Sequence, residues 1–235
     1  MLKTLTFGLV VVLLMGAPAS AEPVLLTFEG LRTFEPVAGF YDGGRGGNFG
    51  IAFSPLAIGL VDDDDAPDGE GGGSFANEPS PRTVLFFNGF QAPNAPFVNV
   101  RGGFDAFSFF YSQPAAEGTV FSRFEVAAFD GLNGSGRRLG RWTLDHSNPF
   151  APGDPTGGVF GEFLAIDRVL DGTARSLVFR DAARHYVGAA FDNLRFDLAG
   201  AAPVPEPSSL VLLAGAIAGI ARRACTRRGT TRVRA

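Results

Sequence analysis

The chain is nearly without cysteine: the one residue of this type, Cys225, stands close to the C-terminus. No disulfide can form within the chain, so any fold must be held by hydrophobic burial, with or without a metal. Histidine is almost as scarce, with His146 and His185 alone. Neither lies in an H-E-x-x-H pattern, and there is no G-x-S-x-G elbow and no P-loop, which removes the common signatures of zinc hydrolases, serine hydrolases and nucleotide-binding enzymes. His146 sits in the polar stretch "LDHSNPF", where solvent or a capping hydrogen bond accounts for it. Helical periodicity is missing as well. Outside the two termini no stretch keeps a 3.6-residue period, and 32 glycines and 16 prolines interrupt the chain at short intervals.

The two ends differ from the rest. Met1 to Ala21 carries one positive charge at Lys3, an apolar run, and then Ala19-Ser20-Ala21, small residues where signal peptidase reads. This is a cleavable export signal over 1–21, with Glu22 as the first residue of the mature chain. At the far end, residues 208–221 are uncharged, about 20 Å of helix. That is short for a bilayer of about 30 Å, so the bilayer thins or the flanking arginines snorkel. Arg222, Arg223, Arg227 and Arg228 lead the basic tail that follows, and retention of such charge on the cytoplasmic side puts the preceding domain outside. Before the apolar run, Val204-Pro205-Glu206-Pro207 is extended and accessible, because its prolines lack N–H donors and resist helix geometry.

The order "VPEP", apolar segment, arginine cluster resembles the PEP-CTERM sorting signal of Gram-negative bacteria, here over 203–235. The resemblance implies processing near Pro205-Glu206-Pro207 by an exosortase, a membrane-embedded transpeptidase-like cysteine enzyme. It further implies passage through the inner membrane to the cell surface or exopolysaccharide matrix. Glu206 takes a recognition role on this basis.

Between the ends lies a core over 22–202. Setting aside Lys3, the six tail arginines and Glu206 from 20 basic and 24 acidic residues leaves 13 and 23, a formal charge of −10. Such a surface argues against nucleic acid as a partner. The core reads as β throughout. In "FDAFSFFY" (104–111) Phe107, Phe109 and Tyr111 alternate with Ala106, Ser108 and Phe110, and in "FSRFEVAAF" (121–129) Phe124, Val126 and Ala128 oppose Arg123 and Glu125. Residues 83–87, 97–100, 139–144, 158–166, 175–180 and 187–196 add further strands, and "NGSG" around Ser135 reads as a hairpin turn. Short strands and turn-rich connections predict an all-β, antiparallel two-sheet sandwich of jelly-roll type. "LLTFEGL", "GGFDAFSFFYS", "VAAFDGLNGSGRRLGRWTL" and "AAFDNLRF" resemble the sandwich domain of many PEP-CTERM cargo proteins, similar in layout to galactose-binding-like carbohydrate modules.

Two acidic features invite a cation. Asp62-Asp63-Asp64-Asp65 with "APDGEGGG" does not satisfy the EF-hand frame, since the third position from Asp64 is Ala66 and the twelfth is Phe75, and it reads as a solvated Gly-rich loop. In the last strand, period two puts Asp192 on the face of Leu194, Phe196 and Leu198, and a buried carboxylate must be paired, ligated or protonated. Glu29 closes the first strand. In galactose-binding-like folds the terminal strands are neighbours, so the resemblance implies a structural Ca2+ held by Glu29 and Asp192; local capping by Asp192 and Asn193 is the other reading.

Two classes of function follow. One is a non-catalytic surface or matrix protein whose sandwich binds exopolysaccharide, with exposed rings among Tyr41, Tyr111, Trp142 and Tyr186. The other is a secreted hydrolase acting on such a polymer. The lack of a catalytic constellation favours the first, so the expectation is no enzyme.

Overall fold

In the computed structural model the described residues are 23–66, 71–88, 95–113, 123–147, 160–181 and 188–200. They build eleven strands: β1 (Val24–Leu26), β2 (Asp42–Gly44), β3 (Gly47–Asn48), β4 (Ile51–Phe53), β5 (Ala57–Val61), β6 (Thr83–Phe87), β7 (Phe97–Ser112), β8 (Phe124–Phe129), β9 (Arg138–Thr143), β10 (Leu164–Asp181) and β11 (Ala190–Leu198). A 3₁₀ turn at Leu132–Gly134 joins β8 to β9, where the "NGSG" turn is expected. The signal segment 1–21, Glu22, the tail 203–235 with its apolar run, Tyr186 and His185 lie outside the described residues. Among the described residues no helix is long and apolar enough to cross a membrane.

All strand pairs are antiparallel, in the order β5–β6–β11–β7–β10–β8–β9, with β1 beside β11, β4 beside β7, and β2–β3 as a separate hairpin. Two strands are much longer than expected. Residues 97–100 and 104–111 join in one strand, as do 164–166 and 175–180. Each of these long strands serves two layers. Residues 104–112 of β7 pair with β11, whereas 98–100 pair with β4; likewise β10 meets β8 only through 176–181. The change of layer falls at Gly103, φ +81°, opposite an irregular stretch of β10 between Val169 and Ala174. A side chain on Gly103 would lie 2.5 Å from Thr173 Cγ2 and 3.0 Å from the Ala174 carbonyl, so only glycine allows this close approach.

The alternation read from the sequence then fills the space between the layers. Phe107, Phe109, Tyr111, Phe191 and Phe196 come from one side, and Phe124, Val126, Leu177 and Phe179 from the other, all buried in a single cluster. Ring contacts cross the gap, with centroids 5.1 Å apart for Phe179–Phe191, 5.5 Å for Phe124–Phe191 and 6.0 Å for Phe109–Phe179. Such pairs contribute about 0.5–1.5 kcal/mol each beyond their burial, which is how a chain with 24 phenylalanines holds a sandwich without a disulfide.

A smaller cluster lies on the outer side of β5, β6 and β11, formed by Ile58, Leu60, Val84 and Ala190 under Phe75, with Phe160 and Phe86 at its edge. Phe75 belongs to the strap 71–82, which covers this face and carries hydrogen-bond partners of Asp62 and Asp192.

Candidate acidic site beside the first and last strands

β1 ends at Leu26, and the chain reverses through Phe28 (φ 64°) and Gly30 (φ 88°). Phe28 is fully buried, its ring edge-on to Tyr41 and Phe53, and its N–H donates to Tyr41 Oη at 2.7 Å. This anchors the turn and leaves Glu29 beside the start of β6, where its Oε1 accepts the Thr83 N–H at 3.0 Å.

Asp192 is fully buried, as expected, but not on the face expected. Phe191 pairs with Tyr111 and Asp192 with Phe110, yet Arg195 pairs with Ser108, so β11 holds one extra residue between Asp192 and Arg195. The bulge sits at Asn193, φ 48°. It reverses the alternation, so Phe191 and Leu194 both enter the main core while Asp192 follows Ala190 onto the outer side. There the strap covers it. Ser80 donates its N–H to Asp192 Oδ2 at 2.7 Å and its hydroxyl to Oδ1 at 2.7 Å, and the Asn193 N–H reaches Oδ1 at 2.6 Å.

Asp62 corrects the reading of the acidic run as wholly solvated. It is buried, with Oδ1 accepting the Phe75 N–H at 2.9 Å and Oδ2 accepting the Asp64 N–H at 3.3 Å, whereas Asp63, Asp64 and Asp65 are exposed. Glu29, Asp62 and Asp192 therefore each hold a backbone N–H between Phe75 and Thr83. No sequence signal marked Ser80 or Thr83 as their partners, because the contacts are long-range and the donors are largely main chain.

Burial raises all three carboxyls above their ordinary range, and for Asp192 the value is pushed up to about 6. The opposing influence in each is the hydrogen bonding just described. Asp192 adds its charge to the rise of Glu29, and both acids add to the rise of the buried Tyr41 hydroxyl. Glu78, half-buried in the strap, is pushed up to about 7 by burial, then by Asp62, Asp65 and Asp192. Among the described residues none of Glu29, Asp62, Glu78 and Asp192 forms a salt bridge.

The donor set suits a hard cation on one observation: Asn193 Oδ1, next to Asp192, is buried with no hydrogen-bond partner. An orphaned carbonyl oxygen and carboxylates without cations are the ligand types calcium takes. Among the described residues no three acidic, histidine or cysteine side chains cluster for a metal, so main-chain oxygens or water would complete the shell.

Of the expected exposed rings, the three among the described residues are not exposed. Tyr41 and Tyr111 are buried, their hydroxyls accepting the Phe28 and Asp145 N–H groups, and Trp142 is half-buried against Phe107 at 5.3 Å. Both tyrosines point inward because a phenol can bury its ring and still satisfy its oxygen at the core edge. His146 is also not simply solvated, since its Nδ1 is buried without a partner.

Residues 203–228 match the PEP-CTERM protein-sorting motif. The tail marks an exported protein, sorted to the cell surface by way of the membrane, and implies exosortase processing. No curated protein matches the sequence. Among solved structures, the K1 cleaved adhesin domain of Lys-gingipain from Porphyromonas gingivalis W83 is 12% identical, with TM-score 0.39, over 74% of this chain and 96% of that one. The catalytic domain of a GH87 alpha-1,3-glucanase is 16% identical, with TM-score 0.39, over 82% of this chain but only 30% of the glucanase. Likeness at this level says nothing of function.

Proposed function

We propose that this is a cell-surface or exopolysaccharide-matrix protein. Its signal peptide is removed before Glu22, its segment 208–221 holds it transiently in the inner membrane with the core in the periplasm, and an exosortase-type enzyme processes it near Val204–Pro207. The core is a non-catalytic sandwich of jelly-roll type that binds polysaccharide, and Glu29 and Asp192 hold a structural Ca2+ that locks the strap onto the last strand. The match of 203–228 to a sorting motif carries this reading; the weak likenesses to an adhesin and a glucanase do not. Intact-mass analysis of surface material from an exosortase-bearing host tests it. The expected species begins near Glu22 and lacks Arg222 to Ala235, and a surface species that retains the arginine tail overturns the proposal.

A secreted hydrolase is the second reading, favoured by Glu78 alone. A carboxyl pushed up to about 7 by burial keeps its proton in about half of the molecules at neutral pH, the poise that suits a general acid. Release of reducing ends from a polysaccharide, abolished by Glu78→Gln, would establish it.

A further inference from the structure

The outer face of the layer β1–β11–β7–β10 is uncovered among the described residues beyond the strap, and it is built unlike an ordinary wet face. The register aligns Leu25, Arg195, Ser108 and Asp167 in one row across the four strands, Asp197, Ala106 and Val169 in the next, and Phe110 beside Ala165 on the other side. The solvated side of an antiparallel sheet is normally polar. Here Phe110, Leu25 and Val169 are 37%, 52% and 82% exposed. Between them stand polar groups: the Arg195 guanidinium, paired with Asp197 Oδ1 at 3.0 Å, with Ser108 and Asp167 in the same row as Arg195.

We propose that this face binds a neutral polysaccharide chain, which deepens the polysaccharide reading above and rests on it. A sugar ring presents C–H surface to its faces and hydroxyls to its rim. The C–H surface suits the Phe110 ring and the flat ground made by Ala106 and Ala165. The hydroxyls suit the Arg195 guanidinium and the Asp197 carboxylate that it pairs with. Size separates this occupant from a second copy of the chain. Four strands about 4.8 Å apart, with rows about 6.8 Å apart, give a face on the order of 200–300 Å². A stable protein interface needs about 800 Å² from each partner. The face therefore suits a short run of sugar rings better than another sandwich. Charge decides the class of polymer, since Arg195 is neutralised by its pair with Asp197 and Asp167 adds a further carboxylate to the same face, on a core of formal charge −10, so polyanions are repelled.

Native affinity electrophoresis of the full chain in detergent, through gels containing dextran, xylan or galactomannan, with alginate for comparison, tests the site, alongside sedimentation velocity and melting curves. The expected result is retardation by at least one neutral polymer but not by alginate, weakened at least about tenfold in apparent affinity by both Val169→Arg and Phe110→Ser. Val169 is so exposed that its variant keeps the wild-type melting curve, which covers the case of Phe110→Ser failing to fold. Retardation of the wild type that both variants keep overturns this face and leaves the polysaccharide reading standing. No retardation by any neutral polymer overturns both. Retardation by alginate alone, or a dimer that Val169→Arg dissociates, also overturns the proposal.

Discussion

Ser80 and Asp192, 112 residues apart in the chain, are joined twice: the serine N–H and hydroxyl each donate to the buried carboxylate at 2.7 Å. The strap thereby closes on the last strand, and the Ser80 hydroxyl also lies 3.2 Å from the Thr27 carbonyl.

This contact sets a hierarchy of mutational effects. Ser80→Ala keeps the main-chain donor and should cost about 1–2 kcal/mol. Asp192→Ala leaves the Ser80 N–H, its hydroxyl and the Asn193 N–H without their acceptor, and should cost about 3 kcal/mol or more. The double variant should lose less than the sum, because both changes break the same bond. Urea denaturation of the three variants and the wild type gives these values; strict additivity would mean the two side chains are not coupled.

The same carboxylate makes stability depend on pH. Burial lifts Asp192 from 3.8 to about 6 in the folded protein, so folding favours its protonated form. Its contribution is whole below about pH 4 and is lost as pH rises through about 6, a change of about 3 kcal/mol for a shift of this size. The carboxyls of Glu29, Asp62 and Glu78 are raised too and act in the same direction. Glu35 is lowered by Arg45, but its window lies below its ordinary value of 4.5. Without divalent cations, the urea midpoint should therefore be higher at pH 5 than at pH 8, and Asp192→Asn should reduce the difference. A midpoint that rises from pH 5 to pH 8 would contradict the buried-acid account.

Period two made most of the sandwich legible. β8 and the central part of β7 carry alternation that any reading of faces recovers. β5 does not, since Ala57, Ile58, Gly59 and Leu60 are all buried, covered on both sides, and a strand with two apolar faces has no alternation to read. The acidic site was half legible. Asp192 stood out as a carboxylate among apolar neighbours, but its face was reversed by one residue at Asn193, whose tolerance of positive φ is a weak signal on its own. Ser80, Asp62 and Thr83 could not be read, because their bonds join distant segments through backbone N–H groups.

The bend of β7 gives a sharper test of the fold. Gly102 and Gly103 are adjacent, yet a methyl group on Gly102 meets nothing within 4 Å, and Gly103 has both the positive φ and the contact with Thr173. Gly103→Ala should destabilise by at least about 1–2 kcal/mol, whereas Gly102→Ala should be neutral or stabilising by about 0.5 kcal/mol. Thermal melts of the pair decide it, and equal effects would remove the bend from Gly103.

Calcium should act through the acids that close the strap. If Glu29 and Asp192 share the ion, binding relieves their mutual repulsion and satisfies the orphaned Asn193 oxygen. Binding to the folded state alone stabilises by about 2.7 kcal/mol at one hundred times Kd, which for a domain of this size raises Tm by roughly 5–10 °C. The rise should be greater at pH 8 than at pH 5, since Asp192, at about 6, must give up its proton to bind the ion. Asp192→Ala should abolish it. Replacing Asp63 and Asp64, which are exposed on the acidic turn, should leave it intact. Melting curves with calcium and with chelator, at both pH values, separate these outcomes: a wild-type curve that chelation does not move leaves Asp192 as the acceptor for Ser80 and nothing more.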